Sequence, residues 1–436
     1  MTSKINKSKP VSIIDNKKEY KTLREIFDIN EENLIDLDQT QTEYFFSKDN
    51  DSNDIRLKLP KTNINIWKYL SKKNAVLKYI TSGSTGHFFK GIVLNKNNDD
   101  NNDNNDDKND KNKKENKIIC EFGLKVTAYA KNEKYGSIYN PNRPENTELL
   151  MLKALSYFII HNETENLILP IQTFYDDIKS FVKIDKLITD RKDRYHRFIE
   201  NYNNGRYEDT VSILISQYAK HGDFLSFIKN NVNELDLMAW KIFFFQIISV
   251  LAVIQSKYPS FRHNDFKANN ILVDDADNFN PDYMMIYTIC GKKYYVPKVK
   301  FVLKIWDFDF ASIDEPDKIV MKNGQKYIKK GVKIRNLKTE EEWTQRLNIT
   351  HKQNRYYDIH FFFSTLIHPG FFPEILTLPI IDDSIKQFIK RIVPETYRKP
   401  PNANNKGRLQ TNTEYLTPQQ ILEFDPFFED FRKPKN

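Results

Sequence analysis

The stretch that decides the fold is FRHNDFKANNILV, residues 261–273. Its polar side chains Asp265, Lys267 and Asn270 lie between a short apolar strand and an apolar run, residues 240–254, that is long enough for a buried helix. A polar loop held between two buried elements is a rigid support for functional side chains. A carboxylate, a lysine and an amide at this spacing are the groups that phosphoryl transfer uses for the proton, the moving phosphate and a metal ion. For this fragment alone, a chance polar turn is the alternative interpretation.

Length and composition bound the class of protein. A chain of 436 residues can hold two or three core-forming units, or one two-lobed domain with insertions. Its net charge of +8 is spread along the chain and allows nucleic acid, anionic lipid or acidic substrates without selecting any of them. Cys120 and Cys290 are too few for a disulfide framework or a zinc site. The polar N-terminus is not a secretory signal and the apolar run 242–254 is too short to span a bilayer, so we expect a soluble intracellular protein.

A glycine-containing turn separates two apolar arms at residues 79–94. This pattern predicts a strand, a tight loop and a second strand. Glycine lets backbone N–H groups approach phosphate oxygens closely, so Gly83, Ser84, Thr85 and Gly86 are candidate phosphate-binding residues. A plain hairpin is the alternative.

A lysine and a glutamate further along the chain form a candidate ion pair. Residues 118–129 alternate like a strand and carry Lys125 near the middle, and a helix is predicted to begin at Pro144. We expect Glu148 on that helix to pair with Lys125 and to hold the lysine where phosphate charge develops. Glu145 is the competing partner, and a solvated lysine on a strand face is the alternative.

The segment at residues 96–117 is almost wholly Asn, Asp and Lys and has no apolar residue. Such a segment cannot bury apolar surface to offset the entropy lost on ordering. It is therefore predicted to be a disordered loop inserted between two strands of one sheet, and an interaction tail is the alternative.

The loop at residues 263–270 resembles the catalytic loop of protein kinases, H-x-D-x-K-x-x-N, with Asn264 where arginine is usual. The glycine turn is similar to the kinase glycine loop, with Thr81 in place of the first glycine. The motif Asp307-Phe308-Asp309 stands where kinases have Asp-Phe-Gly, and Asp358 stands on an aromatic helix further along the chain. Glycine loop, strand lysine, helix glutamate, inter-lobe strand, catalytic loop, Asp-Phe and helix aspartate come in the order found in protein kinases.

The resemblance implies an α+β fold of the two-lobed protein-kinase-like type, with a small antiparallel β-sheet lobe and a helical large lobe. Residues 1–78 would form an N-terminal extension, residues 79–216 the small lobe with the disordered insert at 95–117, and residues 217–436 the large lobe. Within the large lobe, a long β-hairpin would span 274–304 and a basic activation segment would span 307–350. Because Asp309 replaces a glycine, we expect a less mobile backbone there.

The resemblance also implies a role for each motif residue. The implied roles are catalytic for Asp265 and Lys267; nucleotide-binding for Gly83, Ser84, Thr85, Gly86, Lys125, Gln217, Tyr218, Ala219 and Asp223; structural for Glu148, His263 and Asp358; and metal-binding for Asn270 and Asp307. The implied cofactors are ATP and Mg²⁺, with Mn²⁺ as an alternative metal. Asp223 could equally well cap the helix that begins directly after it.

The segment from residue 318 to 346 is basic and contains no Ala-Pro-Glu sequence. Its basic residues include Lys322, Lys326, Lys329, Lys330, Lys333, Arg335 and Lys338. The segment is either a solvated charged loop or a platform for an acidic or phosphorylated substrate. Because Asn264 replaces the arginine that usually receives a phosphorylated activation loop, we expect activity not to be gated in that way.

Lys267, two residues after Asp265, resembles the serine/threonine group of protein kinases, which implies transfer of the ATP γ-phosphate to protein hydroxyls. A narrower resemblance, to the poxvirus morphogenesis kinase and its giant DNA virus relatives, rests on residues 307–310 and 356–362. It implies a viral protein of the host cytoplasm or the virion. The implied partners are protein substrates with Ser or Thr, with acidic or viral structural proteins as candidates, and no nucleic acid.

Two other functions fit the same residues. A catalytically weak pseudokinase scaffold is favoured by the departures at Thr81, Asn264 and Asp309. A small-molecule or lipid kinase of related fold is the other alternative, and Lys267 together with a long substrate segment argues against it.

Overall fold

The computed structural model describes residues 18–28, 43–45, 62–83, 86–95, 117–184, 193–276, 284–298, 300–337 and 347–434. The helices are α1 (Lys18–Phe27), α2 (Ile66–Lys72), α3 (Pro144–Ile160), α4 (Lys179–Val182), α5 (Asp193–Asn203), α6 (Phe224–Asn231), α7 (Leu237–Lys257), α8 (Tyr357–Leu366), α9 (Asp383–Ile392) and α10 (Pro418–Phe424). The strands are β1 (Glu43–Phe45), β2 (Thr62–Asn63), β3 (Ala75–Ser82), β4 (His87–Leu94), β5 (Ile118–Ala130), β6 (Pro170–Asp177), β7 (Tyr207–Ser216), β8 (Ile271–Asp275), β9 (Met284–Ile289), β10 (Lys292–Pro297), β11 (Phe301–Ile305), β12 (Ile313–Asp314), β13 (Lys318–Lys322), β14 (Gln325–Lys329) and β15 (Lys333–Ile334). These residues form a mixed α+β structure, as the sequence predicted.

A six-stranded sheet in the order β2-β6-β7-β5-β4-β3 forms one part of the structure. All its pairs are antiparallel except β2 with β6, so the sheet is not purely antiparallel. Strand β5 lies in the interior, and Phe122, Leu124 and Val126 are fully buried. Helix α3 begins at Pro144, whose fixed φ suits the first helical position, and packs on the sheet.

The predicted insert connects two neighbouring strands. Leu94, the last residue of β4, lies opposite Ile118, the first residue of β5. The polar segment therefore joins two adjacent strands of one sheet. Residues 96–116 lie outside the described residues, and disorder there stays a prediction.

Residues before position 79 contribute to the sheet and its core. Strand β3 begins at Ala75, and β2 adds two residues at the opposite edge of the sheet. On α1, Leu23 and Phe27 are buried, and the Phe27 ring meets the Phe122 ring edge-on at 5.1 Å. Burial of one such side chain is worth about 1.5–3 kcal/mol. The described part of the N-terminal segment thus packs on the six-stranded sheet.

Helix α7 is the centre of the helical part. Asp236 caps its N-terminus by accepting a hydrogen bond from the Ala239 N–H, and nearly every residue from Trp240 to Gln255 is buried. The Phe244 ring packs edge-on against Phe363 of α8 at 5.1 Å. Helix α7 has 21 residues and is longer than the apolar run 242–254 that the sequence analysis judged too short for a bilayer, so by length and composition it could cross a membrane. In the structure, 83% of its most apolar window is buried inside the fold.

Two hairpins lie after the polar loop at residues 263–270. Strand β8 pairs with β11, and β9 pairs with β10 through a two-residue turn at Cys290 and Gly291, both with positive φ. The basic segment also contains a hairpin, β13–β14, closed by Asn323 and Gly324 with φ of 51° and 76°. Strand β1 pairs with β14, so the N-terminal segment and the basic segment share a three-stranded sheet.

Candidate active site

The polar loop is held by an aspartate on α8. Oδ2 of Asp358 accepts the backbone N–H of His263 at 2.7 Å, and Oδ1 accepts that of Asn264 at 2.9 Å. Asp358 is fully buried. Asn264 has φ of +63°, a conformation that asparagine tolerates better than most residues. Asp358 therefore satisfies the loop backbone in the position that the sequence expected.

The Asp265 carboxylate lies among three donors. Oδ2 accepts Nζ of Lys267 at 2.7 Å and Nδ2 of Asn270 at 3.1 Å, and Oδ1 accepts Nη2 of Arg408 at 2.6 Å. Burial by itself would raise the pKa of Asp265, but Lys267 and Arg408 outweigh it, so the pKa lies below its ordinary value. Asp265 is therefore ionised and fixed in orientation.

Arg408 is the site residue that the sequence analysis missed. It lies between α9 and α10, and its Nη1 donates to the Asn264 carbonyl oxygen and, at 3.2 Å, to the Tyr357 hydroxyl. Its guanidinium carbon lies 4.1 Å from the centre of the Phe361 ring. A lone arginine in a polar stretch carries no spacing signal, so local sequence could not have found it.

The expected ion pair between β5 and α3 is formed. Nζ of Lys125 lies 2.7 Å from both carboxylate oxygens of Glu148. The competing candidate, Glu145, accepts Nε of Arg143 at 3.1 Å and the N–H of Ala130 at 3.0 Å, at the start of α3. Burial would lower the pKa of Lys125, but its carboxylate neighbours outweigh burial and raise it. Lys125 is therefore protonated.

Two further carboxylates face Lys125. Oδ1 of Asp309 lies 3.4 Å and Oδ1 of Asp307 lies 3.8 Å from Nζ. The carboxylates of Glu148, Asp307 and Asp309 lie within 4.8 Å of one another. Burial and the Asp309 charge raise the pKa of Asp307 to about 6, against the pull of Lys125. Clustered carboxylate oxygens are ligands that suit Mg²⁺.

Asn270 links the polar loop to the Asp307 segment. Its carbonyl oxygen accepts the Trp306 N–H at 3.1 Å, and its Nδ2 donates to Asp265. Its amide oxygen has no protein partner among the described residues, which leaves that atom available to a metal ion. The donor set therefore fits the metal that the sequence expected.

The glycine turn packs directly above Lys125. Strand β3 ends at Ser82, β4 begins at His87, and the Gly83 N–H donates to the Gly86 carbonyl at 2.8 Å. A Cβ atom on Gly86 would lie 2.8 Å from the Val126 carbonyl oxygen and 3.2 Å from Cε of Lys125. Only glycine allows this approach. Ser84 and Thr85 lie outside the described residues.

The residues expected at the adenine and the ribose lie after β7. The Gln217 N–H donates to the Leu169 carbonyl at 3.0 Å, and the Tyr218 ring stacks on Phe88 at 6.5 Å. Asp223 caps α6, where it accepts the Ser226 N–H at 2.9 Å. The structure thus gives Asp223 the capping role that the sequence left as one of two alternatives. Ala219 is buried next to Tyr218.

Aromatic rings connect this segment to the carboxylate cluster. The Phe88 ring meets Trp306 edge-on at 6.0 Å, and Nζ of Lys125 lies 5.6 Å from the centre of the Trp306 ring. Together with Tyr218, these rings form a wall from the end of β7 to Asp307. Contacts between side chains therefore run without a break from Tyr218 through Phe88 and Trp306 to Lys125 and Asp307. A cavity of about 420 Å³ is lined by residues of the glycine turn, α3 and α5 and by Asp309 of the carboxylate cluster.

Comparison with known proteins gives two relatives. No protein-family model matches the chain. A protein of Acanthamoeba polyphaga mimivirus named "Putative serine/threonine-protein kinase R400" is 38% identical over 406 residues, which cover 92% of this chain and 76% of the relative. A second mimivirus protein, named "Putative serine/threonine-protein kinase R301", is 38% identical over 69 residues, 16% of this chain and 17% of its own. The first similarity extends far beyond any single motif.

Proposed function

The chain belongs to the protein kinase family, and we propose that it is a serine/threonine protein kinase that transfers the γ-phosphate of ATP to protein hydroxyls. The observation that supports the proposal is the proximity of Lys125, Asp307 and Asp265. Nζ of Lys125 lies 3.8 Å from Oδ1 of Asp307, and the negative charge of Asp265 contributes to the raised pKa of Asp307. These groups come from β5, the β11–β12 connection and the loop after α7. Their convergence favours a single phosphoryl-transfer centre.

In this proposal the nucleotide lies between the sheet and the helical part, which would act as the two lobes of the fold. The backbone of the turn from Gly83 to Gly86 and the ammonium of Lys125 would bind the phosphates. Gln217, Tyr218 and Ala219 would contact the adenine. Asp223 would contact the ribose in addition to capping α6.

Asp265 is the proposed base. The substrate hydroxyl oxygen forms a bond to the γ-phosphorus, the bond from that phosphorus to the bridging oxygen breaks, and ADP leaves. Asp265 accepts the hydroxyl proton, and Lys267 neutralises charge on the transferred group. Because the pKa of Asp265 is lowered, the carboxylate is a weak base whose main contribution is orientation of the hydroxyl. Proton transfer is then expected late in the reaction.

Asp307 and Asn270 would hold Mg²⁺, or Mn²⁺ in its place. When bound, the ion neutralises charge on the phosphates. Glu148 keeps Lys125 in place on the other side of the cleft.

A more specific part of the proposal concerns the origin and the location of the protein, which we infer to be viral. Both relatives are proteins of Acanthamoeba polyphaga mimivirus. The resemblance of residues 307–310 and 356–362 to the poxvirus morphogenesis kinase rests on the sequence motifs alone. We propose that the protein acts in the host cytoplasm or in the virion on Ser and Thr residues of viral structural proteins.

A pseudokinase scaffold is the second candidate, and one contact favours it. Asp309 stands where kinases have glycine, and its carboxylate lies 3.4 Å from Nζ of Lys125, where it competes with nucleotide phosphates. In that case the protein would bind partners without consuming ATP.

One experiment separates the two candidates. The purified chain is incubated with Mg²⁺ and γ-labelled ATP, with an acidic and a basic general protein substrate. We expect label on Ser or Thr, and a loss of turnover of about 10²–10⁴-fold in Asp265→Asn with nucleotide affinity retained. The control is Asp275→Asn, because Asp275 pairs with His221 at 2.8 Å on the adjoining strand. No transfer by the wild type, or equal transfer by Asp265→Asn, would reject the assignment.

A further inference from the structure

The hairpin β13–β14 leaves one strand edge without a described partner. The three-stranded sheet has the order β1-β14-β13, so β14 is central and β13 is an edge among the described strands. Edge strands present unpaired N–H and C=O groups that can template a further strand. The edge lies in the basic segment that comes after the candidate active site in the chain.

The register determines which backbone groups point outward. The two-residue turn at Asn323 and Gly324 makes Lys322 and Gln325 the hydrogen-bonded pair that closes the hairpin. Hydrogen-bonded and non-hydrogen-bonded pairs alternate along an antiparallel ladder. The N–H and C=O groups of Met321 and Ile319 therefore point away from β14.

Apolar side chains stand at the same two positions. Ile319 is 65% exposed and Met321 is 62% exposed, and both lie on one face of the hairpin because side chains alternate along a strand. Ile328 of β14 lies opposite Ile319 on that face. A strand added to this edge would cover apolar surface and pair free backbone groups at once.

The positive charge of the β13–β14 hairpin indicates which kind of strand binds at the β13 edge. Lys318 and Lys326 are exposed and make no ion pair among the described residues, whereas Lys330 pairs with Asp317. A second copy of β13 would add a strand of sequence KIVMK, which has two lysines and no acidic residue, to this edge. Like charges directly opposite are destabilising. An acidic strand would meet the opposite charge.

We infer that β13 is a docking edge for an extended acidic segment of a protein substrate, which adds to the sheet as a further strand. That the bound protein is a substrate of this chain rests on the proposed function. The recognised pattern alternates apolar residues, placed opposite Ile319 and Met321, with acidic residues on the face of the strand that carries Lys318. Backbone pairing supplies affinity, and the alternating side chains supply selectivity.

The test uses fluorescence anisotropy with the full chain and labelled peptides of about nine residues, the length of a long strand. One peptide alternates glutamate with valine, and the other alternates lysine with valine. The variant is Ile319→Pro, which removes an outward N–H without removing a hydrogen bond of the hairpin. Its matched control is Ile286→Pro, because Ile286 is 61% exposed and lies at the equivalent non-hydrogen-bonded position of the β9–β10 hairpin.

We expect the acidic peptide to bind, and to bind more weakly in added salt. Ile319→Pro should weaken that binding roughly tenfold or more, while Ile286→Pro leaves it unchanged. Phosphorylation of an acceptor peptide fused to the acidic segment should lose efficiency in Ile319→Pro, and phosphorylation of the acceptor alone should not.

Three results would overturn the inference: no binding of the acidic peptide, equal binding of the basic peptide, or equal weakening by both proline variants. Wild-type dimerisation that Ile319→Pro abolishes would assign the edge to a second copy and overturn it as well. Peptide binding does not require catalysis. Anisotropy therefore tests docking at β13, and the phosphate-transfer assay tests the kinase activity independently.

Discussion

Nη2 of Arg408 lies 2.6 Å from Oδ1 of Asp265, so the proposed base is bound by an arginine 143 residues further along the chain. Both groups are buried. The contact occupies the carboxylate oxygen that Lys267 and Asn270 leave free. Arg408 therefore positions the Asp265 carboxylate. The loop that carries Asp265 has Asn264 where protein kinases usually have an arginine.

Arg408→Met is expected to lower kcat roughly 10–100-fold, because the base loses its fixed orientation. It should also move the acid limb of the pH profile of kcat/KM to higher pH, since an opposite charge that lowers the pKa of Asp265 is removed. Steady-state kinetics across pH measures both effects, and Arg408→Lys should restore part of each. The control is Arg391→Met, which breaks the exposed pair with Asp425 at 2.8 Å. A lower melting temperature with an unmoved pH profile would mean that Arg408 is only structural.

Lys125→Met is expected to lower kcat/KM for ATP roughly 10²–10³-fold, because a protonated donor at the phosphates is removed. Glu148→Gln should give a smaller loss, since it loosens the lysine without deleting it. Nucleotide titration and initial rates measure these changes. Lys90→Met is the matched control, because Lys90 lies on the neighbouring strand β4 and pairs with Glu121 at 2.6 Å. Equal losses in Lys125→Met and Lys90→Met would contradict the proposed role.

Mg²⁺ affinity is expected to fall as the pH drops through about 6, where Asp307 takes up a proton. Without metal, the folding stability has the opposite pH dependence. The protonated Asp307 carboxyl contributes its full stabilisation below pH 3.8, its ordinary pKa, and this contribution is lost as the pH rises through about 6.

Calorimetric Mg²⁺ titration at several pH values measures the inflection. Asp309→Asn should move it to lower pH, because a neighbouring negative charge that raises the pKa of Asp307 is gone. An inflection that stays in place in Asp309→Asn would show that another group titrates.

Lys153→Met is expected to stabilise the protein at pH 7 by about 3 kcal/mol at most. Lys153 is buried on α3, and burial lowers its pKa from 10.5 to about 8. The folded state therefore disfavours the charged lysine. In the wild type, the stability that this residue contributes above pH 10.5 is lost as the pH falls through 8.

Urea unfolding at pH 7 and at a pH above the ordinary lysine pKa of 10.5 measures the change. The two proteins should differ less in the alkaline sample, where Lys153 is neutral in both states. Lys229→Met, at an exposed position of α6, should alter stability by about 0.5 kcal/mol or less. Destabilisation by Lys153→Met at pH 7 would contradict the expectation.

Short-range patterns predicted the parts of the site that neighbouring residues determine. Asp265, Lys267 and Asn270 bond to one another within six residues, so their spacing already contains their geometry. The choice of Glu148 over Glu145 followed from the helical period after Pro144, because one turn decides which carboxylate reaches Lys125.

Local patterns of two to four residues were enough to predict the residues of the polar loop, the strand that carries Lys125 and the helix that carries Glu148. The packing of distant elements alone brings Arg408 to Asp265, Asp309 to Lys125, and β1 to β14. These contacts join residues far apart in the chain. Their partners depend on how whole elements pack, and a lone charged residue or a three-residue strand carries no local pattern that states its partner.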